Sequence, residues 1–178
     1  MNASALRVGV DESPAPPLCC EVPGTPDFRG FEVDLLESIA GRLGLCLQGE
    51  SLGWEPALER LLDARLDMLC RAVTITSERS RVVGSATRTS KPRPYLALGV
   101  GNVAAVVDHA TIASHFVQQV EGLRMTDALE GSRLSYGMVF APSNVRLRQA
   151  VNSVLAALRA DGTLNRHRDR WLADLNRP

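Results

Sequence analysis

Residues 66–79 read Leu-Asp-Met-Leu-Cys-Arg-Ala-Val-Thr-Ile-Thr-Ser-Glu-Arg, and they hold the strongest chemical signal in the chain. The apolar run 66–72 has the make-up of a buried strand. It ends in small and hydroxyl residues, and Thr76-Ser77-Glu78-Arg79 then reads as the start of a helix. A strand end, the Thr74 hydroxyl and the Arg79 guanidinium thus fall within a few residues. That combination suits a carboxylate, because the planar guanidinium fork matches it with two parallel hydrogen bonds. A plainer reading makes Arg79 a surface helix residue and Thr76 an ordinary N-cap. On these residues alone both readings stand.

The other chemistry-bearing residues sit in similar places. Asp11 ends the apolar run 6–10, and Asp108-His109 follows the apolar run 103–107. Trp54 lies in a Gly-containing loop before a helical pattern. His109 and His115 are six apart, a spacing that does not share a helix face, so no metal pair is expected. Cys19, Cys20, Cys46 and Cys70 fit no zinc spacing, and no activating pattern marks a catalytic thiol. Cys46 and Cys70 fall in apolar segments, where a free cysteine is a small hydrophobe. No cofactor motif is present.

To place these residues the chain needs alternating strands and helices. Candidate strands are 6–10, 45–47, 66–72, 103–107 and 134–140. Phe31, Leu35, Leu36, Ile39, Ala40 and Leu43 recur at helical spacing, with Gly44 placed as a C′ glycine. Pro56 suits the first turn of a helix bearing Ala57, Leu58, Leu61 and Leu62. A helix through Ile112, Phe116 and Val120 is expected. The region 142–175 is helical, broken at Asp161-Gly162, with Trp171 on an apolar side. Residues 23–26 form a turn, and 85–94 have a linker composition. The β-α alternation predicts an α/β fold with a mostly parallel sheet.

The chain has 178 residues, 45% apolar, with 20 basic and 20 acidic side chains. The balanced charge argues against a nucleic-acid partner or an anionic membrane surface. No apolar run is long enough to span a bilayer. The first residues lack a basic and an apolar leader region, so no signal peptide is expected in this chain.

Four blocks, in order, resemble the bacterial type-II periplasmic solute-binding proteins, the polar amino-acid receptors that serve ABC transporters. They are Leu6-Arg-Val-Gly-Val-Asp11; Gly30-Phe-Glu-Val-Asp34 running into Ile39-Ala-Gly-Arg-Leu-Gly44; Trp54 with Leu58, Leu61, Leu66-Asp67 and Thr74-Ile-Thr-Ser-Glu-Arg79; and Leu147-Arg-Gln-Ala-Val-Asn with Leu158-Arg-Ala-Asp-Gly-Thr-Leu164 and Trp171. The resemblance covers about residues 6–90 and 134–173.

It implies a periplasmic-binding-protein-like fold of two α/β lobes around a cleft, a periplasmic location, an amino acid or related carboxylate as ligand, and an ABC permease or a sensor as context. Residues 1–90 with 136–178 would form the first lobe. Residues 91–135 would form a second lobe, truncated and small, since one βαβ unit alone takes roughly 30 residues. By motif, Arg79 would clamp the ligand carboxylate, with Thr74 and the Ala72 backbone assisting. Trp54 would wall the pocket, Asp11 would face the ligand, and Asp108 or His109 would meet its ammonium. The pattern departs at Pro14, where the family has an aromatic, and at the missing part of the second lobe after Tyr95. Two alternatives follow: a minimised relative that no longer traps ligand, or an enzyme resembling the cyclic-acid dehydratases of this fold. Loss of half a lobe would also leave apolar surface for self-association.

Overall fold

The computed structural model describes residues 4–12, 16–22, 24–25, 27–74, 93–106, 108–126 and 136–173. Arg79, the expected helix start at 76–79, Pro14 and most of the expected linker, 85–92, lie outside them.

The elements in order are β1 (Ala5–Asp11), β2 (Cys20–Glu21), β3 (Phe28–Arg29), α1 (Phe31–Leu43), β4 (Cys46–Leu52), α2 (Trp54–Leu62), β5 (Met68–Thr74), α3 (Arg93–Gly99), α4 (Ala110–Gln119), β6 (Tyr136–Val139), α5 (Val145–Ala160) and α6 (Thr163–Leu172). The main sheet has the order β4-β1-β5-β6. β4, β1 and β5 are parallel, and β6 closes the edge antiparallel to β5. β2 and β3 form a separate short antiparallel pair around the expected turn.

Strand alternation sorts the core onto two faces. Leu6, Val8 and Val10 of β1, with Met68 and Cys70 of β5, meet α1 and α5 through Leu36, Ile39, Val151 and Leu158. Leu69 and Val139 point the other way, to Ala57 and Leu61 of α2. Gly9 lets that second face close. A Cβ there would lie 2.7 Å from Leu69 Cδ2 and 2.9 Å from Leu66 Cδ1. Tyr95, Ile112 and Phe116 bury a third, separate cluster between α3 and α4, with the Tyr95 and Phe116 rings stacked at 4.5 Å.

Polar contacts fix the joints. Arg7 grips Asp67 with two guanidinium hydrogen bonds, of 3.0 and 2.7 Å, and donates its backbone N–H to the same carboxylate at 2.8 Å. Asp34 on α1 accepts from Trp171 Nε1 at 2.8 Å and Arg170 at 3.0 Å. Trp171 therefore packs α6 on α1, as expected. Gly44 ends α1 with φ 69°, the left-handed geometry a C-terminal glycine supplies.

Several expectations need correction. The run 103–107 is not a strand across its described residues, and Val103 is exposed. A strand needs a ladder partner, and among the described residues none lies beside this run. Arg93 and Pro94, assigned to the linker, open α3, where proline in a first turn costs no hydrogen bond. The strand expected at 45–47 extends to Leu52. Its polar residues escape an apolar pattern because β4 is an edge strand, and Cys46 is exposed rather than a core hydrophobe.

Candidate functional site

The carboxyl ends of the parallel strands carry Asp11 and Thr74, with Trp54 two residues beyond the end of β4, and open α/β sheets place their ligands at such ends. Asp11, the last residue of β1, pairs in register with Leu52, the last of β4. Gly53 and Trp54 follow at once, as N-cap and first residue of α2. Trp54 is half-buried and, like Leu52, Val139 and Ala141, packs against the cluster of Ala57, Leu61, Leu66 and Leu69. The Glu12 carboxylate lies over Gly53, 3.4 Å from where a Cβ would stand. A negative charge there favours the positive end of α2.

β5 ends at Thr74, opposite Tyr136, the first residue of β6. The register slips between Leu69 and Val73: four steps along β5 match two along β6, from Val139 to Gly137. Ala72 lies in this bulge, where ladder hydrogen bonding is interrupted and backbone groups are freed for other partners.

Tyr136 is the link the sequence reading missed. Its hydroxyl hydrogen-bonds Nδ1 of His109, and the two rings stand 5.3 Å apart. His109 caps α4 in extended geometry, and its backbone N–H donates to Asp108 Oδ1 at 2.7 Å. The other Asp108 oxygen accepts from the Tyr95 hydroxyl at 3.0 Å. Burial, then the bond and charge of Asp108, hold the Tyr95 hydroxyl well above the ordinary phenol range, so it stays a donor. A chain of contacts therefore runs from Thr74 through Tyr136 and His109 to Asp108 and Tyr95. The only sequence signal for Tyr136 was an aromatic at a strand start. Both Asp108 oxygens are engaged, yet a carboxylate offers about four lone-pair sites and can accept more.

His115 is apart from this cluster. It bonds Gln119 at 2.9 Å and meets the Phe116 ring edge-on, and burial lowers its pKa. Burial, with the charges of Glu32 and Cys19, pushes the Cys70 thiol well up, so it is no nucleophile at neutral pH. Ser38 Oγ lies 2.8 Å from His167 Nε2, and His167 Nδ1 lies 3.7 Å from Asp34. Ser38 and Asp34 lie on α1 and His167 on α6, so this trio docks the two helices. Among the described residues, no group of three or more His, Cys, Asp or Glu is placed to hold a metal. No described helix is long and apolar enough to cross a membrane.

A parallel β4-β1-β5 core with an antiparallel edge strand and helices on both faces is a periplasmic-binding-protein-like α/β fold. The sequence profile of the bacterial extracellular solute-binding proteins, family 3, matches residues 6–174, and the chain belongs to that family. Solved structures agree on the fold. A mutant of ArgBP from T. maritima superposes with TM-score 0.79 at 22% identity, covering 96% of each chain. An amino acid ABC transporter substrate-binding protein, AbpA from Streptococcus pneumoniae, bound to L-arginine, gives 0.78 at 18%, covering 98% of this chain and 97% of that one. The ancestral amino acid-binding protein AncCDT-1, a precursor of cyclohexadienyl dehydratase, gives 0.77 at 16%, covering 94% and 95%. No curated protein matches the chain in sequence.

Proposed function

We propose that this protein binds an amino acid or related small carboxylate, as the solute-binding partner of an ABC permease or as a sensor. The observation that carries the reading is the convergence on Tyr136, which brings the Thr74 end of β5 beside Asp108-His109. In this reading Arg79 clamps the ligand carboxylate, and Thr74 and the backbone at Ala72 add donors. Asp108 and His109 meet the ammonium. Asp11 and Trp54 stand at the neighbouring strand ends and wall the pocket.

Residues 1–90 and 136–178 act as one lobe, and 91–135 as a reduced second lobe. The separate cluster of Tyr95, Ile112 and Phe116 supports that division. Binding takes place outside the cytoplasm, in keeping with the extracellular family. The work is binding without turnover. Similar solved proteins bind arginine, lysine or glutamine, so these head the ligand panel.

A second reading is a minimised relative that no longer traps ligand. It is favoured by the small α3–α4 core and by the exposure of Leu96, Val100, Val103 and Met125 nearby. The same exposed residues would drive self-association. A thermal-shift screen with L-arginine, L-lysine, L-glutamine, L-histidine and dicarboxylates decides between the readings. Stabilisation by any of them supports the receptor, and a flat response to all supports the relic.

A further inference from the structure

Tyr95 does more than its place in the small α3–α4 core requires. The residue is 3% exposed, its ring stacks on Phe116, and Ile112 completes the cluster. Packing alone asks for a phenylalanine there. The hydroxyl of a buried tyrosine needs a hydrogen-bond partner, and this one donates to Asp108 Oδ2 at 3.0 Å. The other oxygen, Oδ1, accepts the His109 backbone N–H at 2.7 Å. One donor stands on α3 and the other at the cap of α4. The half-buried Asp108 carboxylate is thus held at both oxygens, by two different elements, and its rotation is restrained. Lone pairs remain on it for a further donor. Tyr95 keeps its proton at neutral pH, so the bond runs in one sense only: the phenol donates and the carboxylate accepts.

We propose that Tyr95 is a positioning residue for the ligand ammonium: its hydroxyl holds the Asp108 carboxylate in the orientation that receives that group. The inference rests on the amino-acid reading given above and deepens it, because Tyr95 acts through Asp108 on one ligand group alone. A carboxylate free to turn must give up that freedom when it meets a cation, whereas one anchored by the fold has already done so. Loss of the Tyr95 hydroxyl therefore weakens ligands that carry an α-ammonium and spares those that lack it. A hydroxyl that merely supported the α3–α4 core would affect both kinds of ligand alike.

Isothermal titration of the whole chain with matched ligand pairs tests the proposal. The pairs are L-arginine with δ-guanidinovalerate, L-lysine with ε-aminocaproate, and L-glutamine with glutaramate; the second of each lacks only the α-ammonium. The wild type binds at least one of the amino acids, and more tightly than its des-amino partner. Tyr95→Phe, which keeps the stacked ring and the circular dichroism spectrum, weakens that amino acid about fivefold and leaves the partner within about twofold. In an Asp108→Asn background the same change adds no further loss of discrimination, as expected of two groups acting in series. Wild-type binding with an unchanged ratio in Tyr95→Phe, or with equal loss of both ligands, would overturn this inference and leave the receptor reading standing. A Tyr95→Phe chain that fails to fold would make the hydroxyl a determinant of the fold and overturn it as well. Binding of none of the amino acids by the wild type would overturn the receptor reading and this inference together.

Discussion

The Tyr136 hydroxyl and His109 Nδ1 share a hydrogen bond that ties the start of β6 to the cap of α4. Tyr136 also faces Thr74 across the β5–β6 ladder. One side chain thus couples the sheet to the segment that carries Asp108. Its removal affects placement more than stability. Tyr136 is 40% exposed, so Tyr136→Phe costs about 0.5 kcal/mol, or about 1–2 °C in Tm for a chain of this size. Ligand affinity falls by a larger factor, at least fivefold by titration calorimetry. Unchanged affinity would remove Tyr136 from the site.

Asp67 and Arg7 predict an acid limb in stability. Burial alone raises the Asp67 carboxyl, but the hydrogen bonds and charge of Arg7 outweigh it and hold the group below its ordinary value of 3.8. A carboxylate with a lowered folded pKa stabilises above the unfolded value and loses that contribution as pH falls through the folded one. Asp67→Asn is therefore less stable than wild type at pH 7, and the gap narrows below about pH 3.8. Urea midpoints from pH 7 to pH 2.5 measure it. A gap that stays constant would refute the assignment.

Gly30 is the strictest backbone position before α1. Its φ is 140°, and a Cβ would lie 2.4 Å from the Leu18 carbonyl oxygen. That carbonyl already accepts the Glu32 N–H at 2.9 Å, so it has no free direction to move. Gly30→Ala costs about 1–3 kcal/mol. Equilibrium urea unfolding checks it, with Gly41→Ala as control, since nothing stands within 4 Å of a Cβ there. Equal midpoints for the two variants would contradict the geometry.

The sheet was legible in the sequence because its central strands carry short apolar runs and its helices a clear period. β1, α1 with Gly44, α2, α5 and α6 all came from that signal. The run 103–107 misled because Val and Ala favour a strand only where a partner strand is near, and that is a tertiary fact. α3 was hidden by Arg93-Pro94, which reads as linker and serves as a first helical turn. At the candidate site, Thr74, Ala72, Asp11 and Trp54 came from the family motif; Asp11 and Thr74 end strands, and Trp54 opens α2. The β5 bulge and the Tyr136 link could not, since both depend on how β6 pairs. Arg79, the residue that began the inference, lies outside the described residues and stays an expectation from its motif.

The most direct test is therefore a ligand-induced thermal shift in wild type and Arg79→Ala. A ligand at 100 times its dissociation constant stabilises by about 2.7 kcal/mol, or about 5–10 °C in Tm here. The account predicts such a shift with at least one L-amino acid of the panel for the wild type, and its loss in Arg79→Ala. A shift of equal size in the variant would contradict the clamp, and no shift with any amino acid or dicarboxylate would contradict the receptor.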